Sequence, residues 1–220
     1  MTGSAGPLVN GAGRLGVLLD HGQVEKLERL VSELLRWNKA YNLTSITDPD
    51  LILTHHLLDS LSVHPELVGT SIADVGTGAG FPGLPLAITN PQRSFTLIDA
   101  VDKKLRFVDH AARELGLTNV KTRHARVEQL RDAGPFDTVV ARAYAPMPRL
   151  LPSISTLCGP HTKVVAMKGR WPPAPGSDEA GPFPAGWQLE VSRRVDVPGL
   201  DAERHLLVMR QHLPDTQSHL

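Results

Sequence analysis

Cysteine is nearly absent from this 220-residue chain: Cys158 stands alone. One thiol cannot close an intrachain disulfide, and it excludes a cysteine-only zinc site or an iron–sulfur cluster. That fits a reducing compartment. Aromatic residues make up only 5%, so Leu, Val, Ile and Ala must build the core. No apolar run approaches the roughly 20 residues that a membrane-spanning helix needs. Residues 1–16 hold one basic side chain, Arg14, and no secretory apolar core. These absences predict a soluble, cytoplasmic protein with no membrane association.

Net charge is absent as well, with 23 basic and 23 acidic residues, but its distribution is uneven. Residues 1–74 carry 5 Lys/Arg and 9 Asp/Glu, residues 93–170 carry 14 and 7, and residues 171–220 carry 4 and 7. A basic middle between acidic ends is a candidate phosphate-facing surface, or else a helical surface with scattered cations.

Residues 1–19 are Gly/Ala-rich and read as a poorly ordered tail. From Gln23 to Tyr41, Val24, Leu27, Leu30, Val31, Leu34, Leu35 and Trp37 recur at three- and four-residue spacing, which predicts a helix. Asp48-Pro49 resembles a second helix start, running on through Leu61. Residues 20–70 are therefore a helical extension. From Ser71 strand and helix alternate: strands at Ile72–Val75, Phe95–Ile98, Val120–Arg123, Thr138–Ala141 and Lys163–Met167, and helices from Leu84, over Lys103–Leu115 and over Met147–Leu157. That order predicts an α/β domain over 71–212, with a parallel sheet and helices on both faces. Gln188–Val195 and His205–Arg210 follow without a helix, which predicts an antiparallel hairpin closing a seven-stranded, mostly parallel sheet. Residues 213–220 read as a frayed tail.

The turn Asp74-Val75-Gly76-Thr77-Gly78-Ala79-Gly80 lies where the first strand meets its helix. Glycines there let the backbone approach a ligand outside the strand ends. Asp99 ends the next strand, where a carboxylate can accept both ribose hydroxyls. Gly78, Gly80 and Gly83 satisfy the dinucleotide fingerprint, but that frame encloses Pro82 and leaves Asp74 and Gly76 idle. The frame D-x-G-x-G-x-G uses them all, and it resembles motif I of the Rossmann-like class I methyltransferases. The hairpin resembles theirs too. No Gly-Lys-Ser/Thr follows, so a Walker A phosphate loop is excluded.

Among methyl acceptors, pyrimidine C5 would need a cysteine nucleophile at the strand tips, and Cys158 lies elsewhere. Exocyclic amine methylation goes with Asp/Asn-Pro-Pro-aromatic, whereas Ala141-Arg142-Ala143-Tyr144-Ala145-Pro146 stands at that place. Acceptors with a free lone pair remain, guanine N7 among them. Trp37-Asn38-Lys39-Ala40-Tyr41-Asn42-Leu43-Thr44 and His55-His56-Leu57-Leu58-Asp59-Ser60 precede the glycine turn and Phe81-Pro82-Gly83. Arg126-Val127-Glu128, Ala141-Arg142-Ala143, Met167-Lys168-Gly169 and Glu203-Arg204-His205-Leu206 come after it. Over about residues 20–210, in this order, they resemble the RsmG (GidB) family, the bacterial small-subunit rRNA guanine-N7 methyltransferases.

The resemblance implies S-adenosylmethionine as cofactor and a guanine in the decoding-region loop of 16S rRNA, within the small subunit or its precursor, as substrate. It implies a monomer. Cofactor contacts would come from Asp74, Gly76, Gly78, Gly80, Phe81, Asp99, Val127, Glu128 and Arg142. Arg142 could alternatively pair with a structural carboxylate such as Asp137. Arg126, Lys168 and Arg204 are the candidates for holding RNA phosphate or the target guanine, and no general base is required. His55 and His56 invite a metal, yet adjacent helical residues point apart, so no metal site is expected. A small-molecule methyltransferase and a nonenzymatic nucleotide- or RNA-binding module are the competing readings.

Overall fold

Short central strands buried on both faces set the architecture. A computed structural model describes residues 5–211. Its strands are β1 (Ser71–Val75), β2 (Ser94–Asp99), β3 (Val120–His124), β4 (Thr138–Arg142), β5 (Lys163–Lys168), β6 (Trp187–Arg194) and β7 (His205–Gln211). They form one sheet in the order β3-β2-β1-β4-β5-β7-β6. The first five run parallel, and β7 pairs antiparallel with both β5 and β6. The closing hairpin and the seven-stranded sheet are as the sequence predicts, although residues 195–204 between β6 and β7 form a longer connection than a short turn.

Successive strand residues feed opposite faces. Ile72, Phe95, Leu97, Val140 and Val165 face one core with the N-terminal helices, while Ala73, Val75, Val139, Ala141 and Ala166 face the other. Around the sheet lie α1 (Ala5–Arg14), α2 (His21–Tyr41), α3 (Pro49–Ile52), α4 (Asp59–Leu61), α5 (Gly83–Thr89), α6 (Asp102–Glu114) and α7 (Met147–Ser153). The edge strand β3 exposes Lys121 and Arg123, charges that discourage pairing with another chain. Part of the basic middle serves that purpose.

Helix α2 begins on a capping box. The Gln23 backbone N–H donates to Asp20 Oδ1 at 2.8 Å, and the Asp20 N–H donates to Gln23 Oε1 at 3.0 Å. Its stripe of Val24, Leu27, Leu30 and Leu34 is buried. Trp37 stacks on Tyr41 at 5.1 Å and packs against His110 and Phe107, so this aromatic pair belongs to the extension's packing. The second helix is not uniform: between α3 and α4, Leu53–Leu58 is π-helical, a widening often found at functional positions.

Two readings need correction. Residues 5–14, assigned to a poorly ordered tail, form α1; Leu8 and Ala12 are buried, and Gly11 lies so close to Leu58 that a Cβ would meet its methyls at 2.6 Å. Gly11, taken as a disorder signal, allows close helix packing instead. Arg142 does not pair with Asp137. That carboxylate accepts the Thr70 and Ser71 N–H groups at the start of β1, which hold it below the usual carboxylate range, at the opposite strand end. The frayed tail expected at 213–220 lies outside the described residues.

Replacing Leu8 by Ala is expected to destabilise the protein by about 2–5 kcal/mol, the cost of a buried leucine truncation. Urea unfolding checks this; a midpoint identical to the parent would mean that α1 is not docked.

Candidate functional site

The strand order reverses between β1 and β4, and ligands of open α/β sheets bind at such a switch point, outside the carboxyl ends of the strands. Here the glycine turn leaves β1 beside Arg142 and Ala143, which leave β4. Gly76, Gly78 and Gly80 have φ of 69°, 59° and 87°, the left-handed region open to glycine at little cost. A Cβ on Gly76 would meet Tyr144 at 2.4 Å and one on Gly80 would meet Leu84 at 2.4 Å, whereas the same position on Gly78 has nothing within 4 Å. The turn is therefore packed on two sides and open at Gly78.

Two carboxylates hold it. Asp74 is buried, and its Oδ2 accepts the Thr77 hydroxyl at 2.6 Å and the Gly83 N–H at 2.8 Å. Burial pushes this carboxyl up to about 6, against the pull of both donors. Its Oδ1 has no hydrogen-bond partner. Asp74 lines neither the larger nor the smaller cavity at this turn and stands behind it. Asp99 grips the other side: Oδ2 accepts the Gly78 N–H at 2.9 Å, and Oδ1 accepts the Val101 N–H at 2.8 Å.

Two cavities meet at Gly76. The smaller, about 150 Å³, is bounded by Asp99, Ala100, Arg126, Val127, Glu128 and Tyr144. Val127 is buried, and Glu128 lies 3.5 Å from the Tyr144 hydroxyl. Arg126 sits here, away from Lys168 and Arg204, which separates it from the other two candidate RNA residues. It is exposed and makes none of the described ion pairs.

The larger cavity, about 390 Å³, is bounded by Gly76 to Ala79, Phe81, Arg142, Lys168 and Arg204, and on its far side by Thr44, His55, His56 and Asp59. The N-terminal extension thus supplies one wall. Asn38 fastens that wall: its side chain donates to the Thr44 carbonyl and accepts the Thr44 N–H, both at 2.9 Å. The Thr44 hydroxyl meets His56 Nε2 at 2.9 Å, and the imidazole stacks on Phe81 at 4.9 Å. Burial and the neighbouring Arg142 guanidinium push His56 down from 6.5 to about 4. It is a neutral ring.

The cations of this cavity are engaged. Arg142 donates to Asp59 Oδ2 at 3.2 Å and to the His55 carbonyl at 3.1 Å, and its guanidinium lies 5.6 Å from the Phe81 ring centroid. Arg204 Nε donates to Asp59 Oδ1 at 2.8 Å. Lys168 donates to Glu179 and to the Ala145 carbonyl, so the proline-rich stretch 171–186 ahead of β6 supplies its acid. Among the described residues no group of three or more His, Cys, Asp and Glu is arranged to hold a metal, and no helix is long and apolar enough to cross a membrane. Asp59, Thr44, His56 and Tyr144 escaped the site assignment. For Thr44, His56 and Asp59 a signal existed, since all three stand in the segments that carry the family resemblance.

Because His56 resists protonation in the folded state, the unfolded chain gains its proton first as pH falls. Its contribution to stability is complete above about 6.5 and is lost as pH drops toward 4. Imidazole NMR should place its titration near pH 4, and the His56→Gln variant should lack that part of the acid slope; a midpoint near 6.5 would contradict the buried stack.

The family model for rRNA small subunit methyltransferase G (GidB) matches residues 23–207. A curated relative, ribosomal RNA small subunit methyltransferase G of Stutzerimonas stutzeri (strain A1501), is 42% identical over 206 residues, covering 93% of this chain and 94% of the relative. The protein of the same name from Alkalilimnicola ehrlichii is 44% identical over 200 residues, covering 91% and 89%. Among solved structures, magnesium protoporphyrin IX methyltransferase from Synechocystis PCC 6803 with bound SAM matches with a TM-score of 0.56 at 16% identity, over 88% of this chain and 98% of that one. TrmN from Thermus thermophilus matches at 0.54 and 18%, over 72% and 53%. The solved structures share the fold, a Rossmann-like methyltransferase sheet. The family match spans the extension, the glycine turn and both cavities, and the chain belongs to the rRNA small subunit methyltransferase G family.

Proposed function

We propose that this protein transfers a methyl group from S-adenosylmethionine to N7 of a guanine in 16S rRNA, acting as a cytoplasmic monomer on the small ribosomal subunit or its precursor. The observation that carries the reading is the pair of cavities joined at Gly76: one ends on a carboxylate, and the other is walled by Arg142, Lys168 and Arg204. A nucleoside and an anionic chain can meet there across one glycine. The family match supports the rRNA substrate.

The residues fit the cofactor. Gly78 leaves the turn open to a ligand, and Asp99 retains free lone pairs on both oxygens for ribose hydroxyls. The Val127 backbone and Glu128 border the same cavity and would recognise adenine. Gly76, Gly80, Phe81 and Arg142 shape the side toward the larger cavity, and Asp74 keeps the turn in place. S-adenosylmethionine, when bound, supplies an electrophilic methyl group on a sulfonium.

Guanine N7 carries an unprotonated lone pair, so no residue need remove a proton. What the protein contributes is placement, an effect worth several kcal/mol of barrier. A neutral His56 adds no further positive charge to a cavity that must accommodate a cationic product. The lone pair also limits the arginines: a guanidinium bidentate to guanine O6 and N7 would occupy the attacking atom. Arg204 is therefore assigned to phosphate or to O6 alone. Lys168 would exchange the Glu179 carboxylate for phosphate, and Arg126 would reach RNA from the cofactor side.

The deciding experiment incubates the protein with labelled cofactor and small subunits from cells lacking this modification, then maps the label. Label on guanine N7 of 16S rRNA is expected; label only on a small metabolite would favour a small-molecule methyltransferase, and cofactor binding without transfer would favour a binding module. In calorimetry, Asp99→Ala should weaken cofactor binding about ten- to a hundredfold, the loss of one or two charge-assisted hydrogen bonds. An unchanged Kd would remove Asp99 from the cofactor site.

A further inference from the structure

Asp59 is the one charged group of the extension buried within the larger cavity's wall, its side chain 3% exposed. It stands just after the π-helical segment and takes one arginine on each oxygen, Arg204 on Oδ1 and Arg142 on Oδ2. These come from separate parts of the sheet: Arg142 ends β4, and Arg204 directly precedes β7. The His55 carbonyl, within the π segment, accepts a second bond from Arg142.

The loop that carries Arg204 is seated on the same helix independently of this ion pair. Val197 and Leu200 are buried in the N-terminal core, and Gly199, at φ 78°, lies so near Thr54 that a Cβ would meet its methyl at 2.9 Å. Fold cohesion at this place is thus supplied by apolar packing as well. The ion pair adds orientation. A guanidinium is a planar fork, so fixing one N–H edge fixes where the remaining donors point. With Nε on Asp59 and Nη1 on the Glu203 carbonyl, Nη2 of Arg204 makes none of the described hydrogen bonds, and the residue borders the cavity. Arg142, held through Nη1 by both Asp59 and the His55 carbonyl, lies over Phe81 beside the glycine turn.

We infer that Asp59 is a positioning residue for methyl transfer: it aims Arg204 at the RNA and ties that arginine, through Arg142, to the cofactor turn. This rests on the proposed rRNA reaction. Without the carboxylate, two partly buried cations would face each other and turn apart, and the acceptor would lose its register with the donor.

The test is a double-mutant cycle on small subunits with Asp59→Asn, Arg204→Gln and the combined variant, alongside cofactor binding and thermal unfolding. Asp59→Asn should lower kcat/KM on the order of tenfold or more, as a misplaced positioning group does. The loss should appear in kcat or in KM for the particle and exceed any change in the cofactor Kd, since Arg142 keeps its bond to the His55 carbonyl. In the Arg204→Gln background, Asp59→Asn should cost distinctly less. Multiplicative losses, or losses that merely track a lowered Tm, would make Asp59 structural only and overturn the inference.

Arg204→Lys serves if Asp59→Asn does not fold. Lysine keeps the charge but lacks the fork, so activity should fall while cofactor binding holds; full activity would refute the role. A parent protein that leaves guanine N7 unmodified would instead refute the proposed function itself, which separates the two failures.

Discussion

A carboxylate buried behind a turn of glycines is the constraint on which the site depends. Asp74 ties Thr77 and Gly83 to the end of β1, so the chain cannot relax out of its left-handed path. Burying a charge costs several kcal/mol, and hydrogen bonds to a charged group return about 1.5–3 kcal/mol each. Two such bonds offset only part of the burial, which leaves the carboxyl raised to about 6. Asp99, gripping Gly78 from the opposite side, makes the turn rigid between two strands. Rigidity matters because the proposed chemistry needs placement and little else.

The second half of the site comes from outside the α/β domain. Asn38 on α2 shapes the loop that presents Thr44, Thr44 holds His56, and His56 stacks on Phe81 next to the turn. Asp59 brings Arg142 and Arg204 to the same wall. The helical extension is thus a wall of the larger cavity as well as a cap, and the His55 carbonyl within its π-helical segment accepts from Arg142. Docking of α1 over Leu58 supports that segment from behind.

Much of the fold was legible because its signals are local. The period of α2, the Asp48-Pro49 start and the alternation from Ser71 onward each depend on neighbours a few residues apart, and the elements lie where the pattern puts them, with one exception. The helix expected over Met147–Leu157 stops at Ser153, after Pro152, and gives way to a 3₁₀ turn at Ser155–Leu157. Residues 5–14 misled for a physical reason: glycine signals flexibility in isolation, but against Leu58 it signals close packing. Arg142 was open to a structural partner on similar grounds, since a strand-end arginine can pair with any nearby acid; Asp137 was the alternative in view, and the acid it meets is Asp59.

By itself, then, the sequence determined the order of elements, the glycine turn with its two acids, and, through joint motifs, the family. Those are properties of short segments and their succession. The tertiary structure alone decided who meets whom: that Asp74 supports the turn without lining a cavity, that Arg126 stands apart from Arg204, and that Glu179 occupies Lys168. It alone brought Asp59 between two arginines 83 and 145 residues away. Such pairings arise from the sheet's strand order and the docking of the extension, which bring together groups whose separation along the chain carries no local signal.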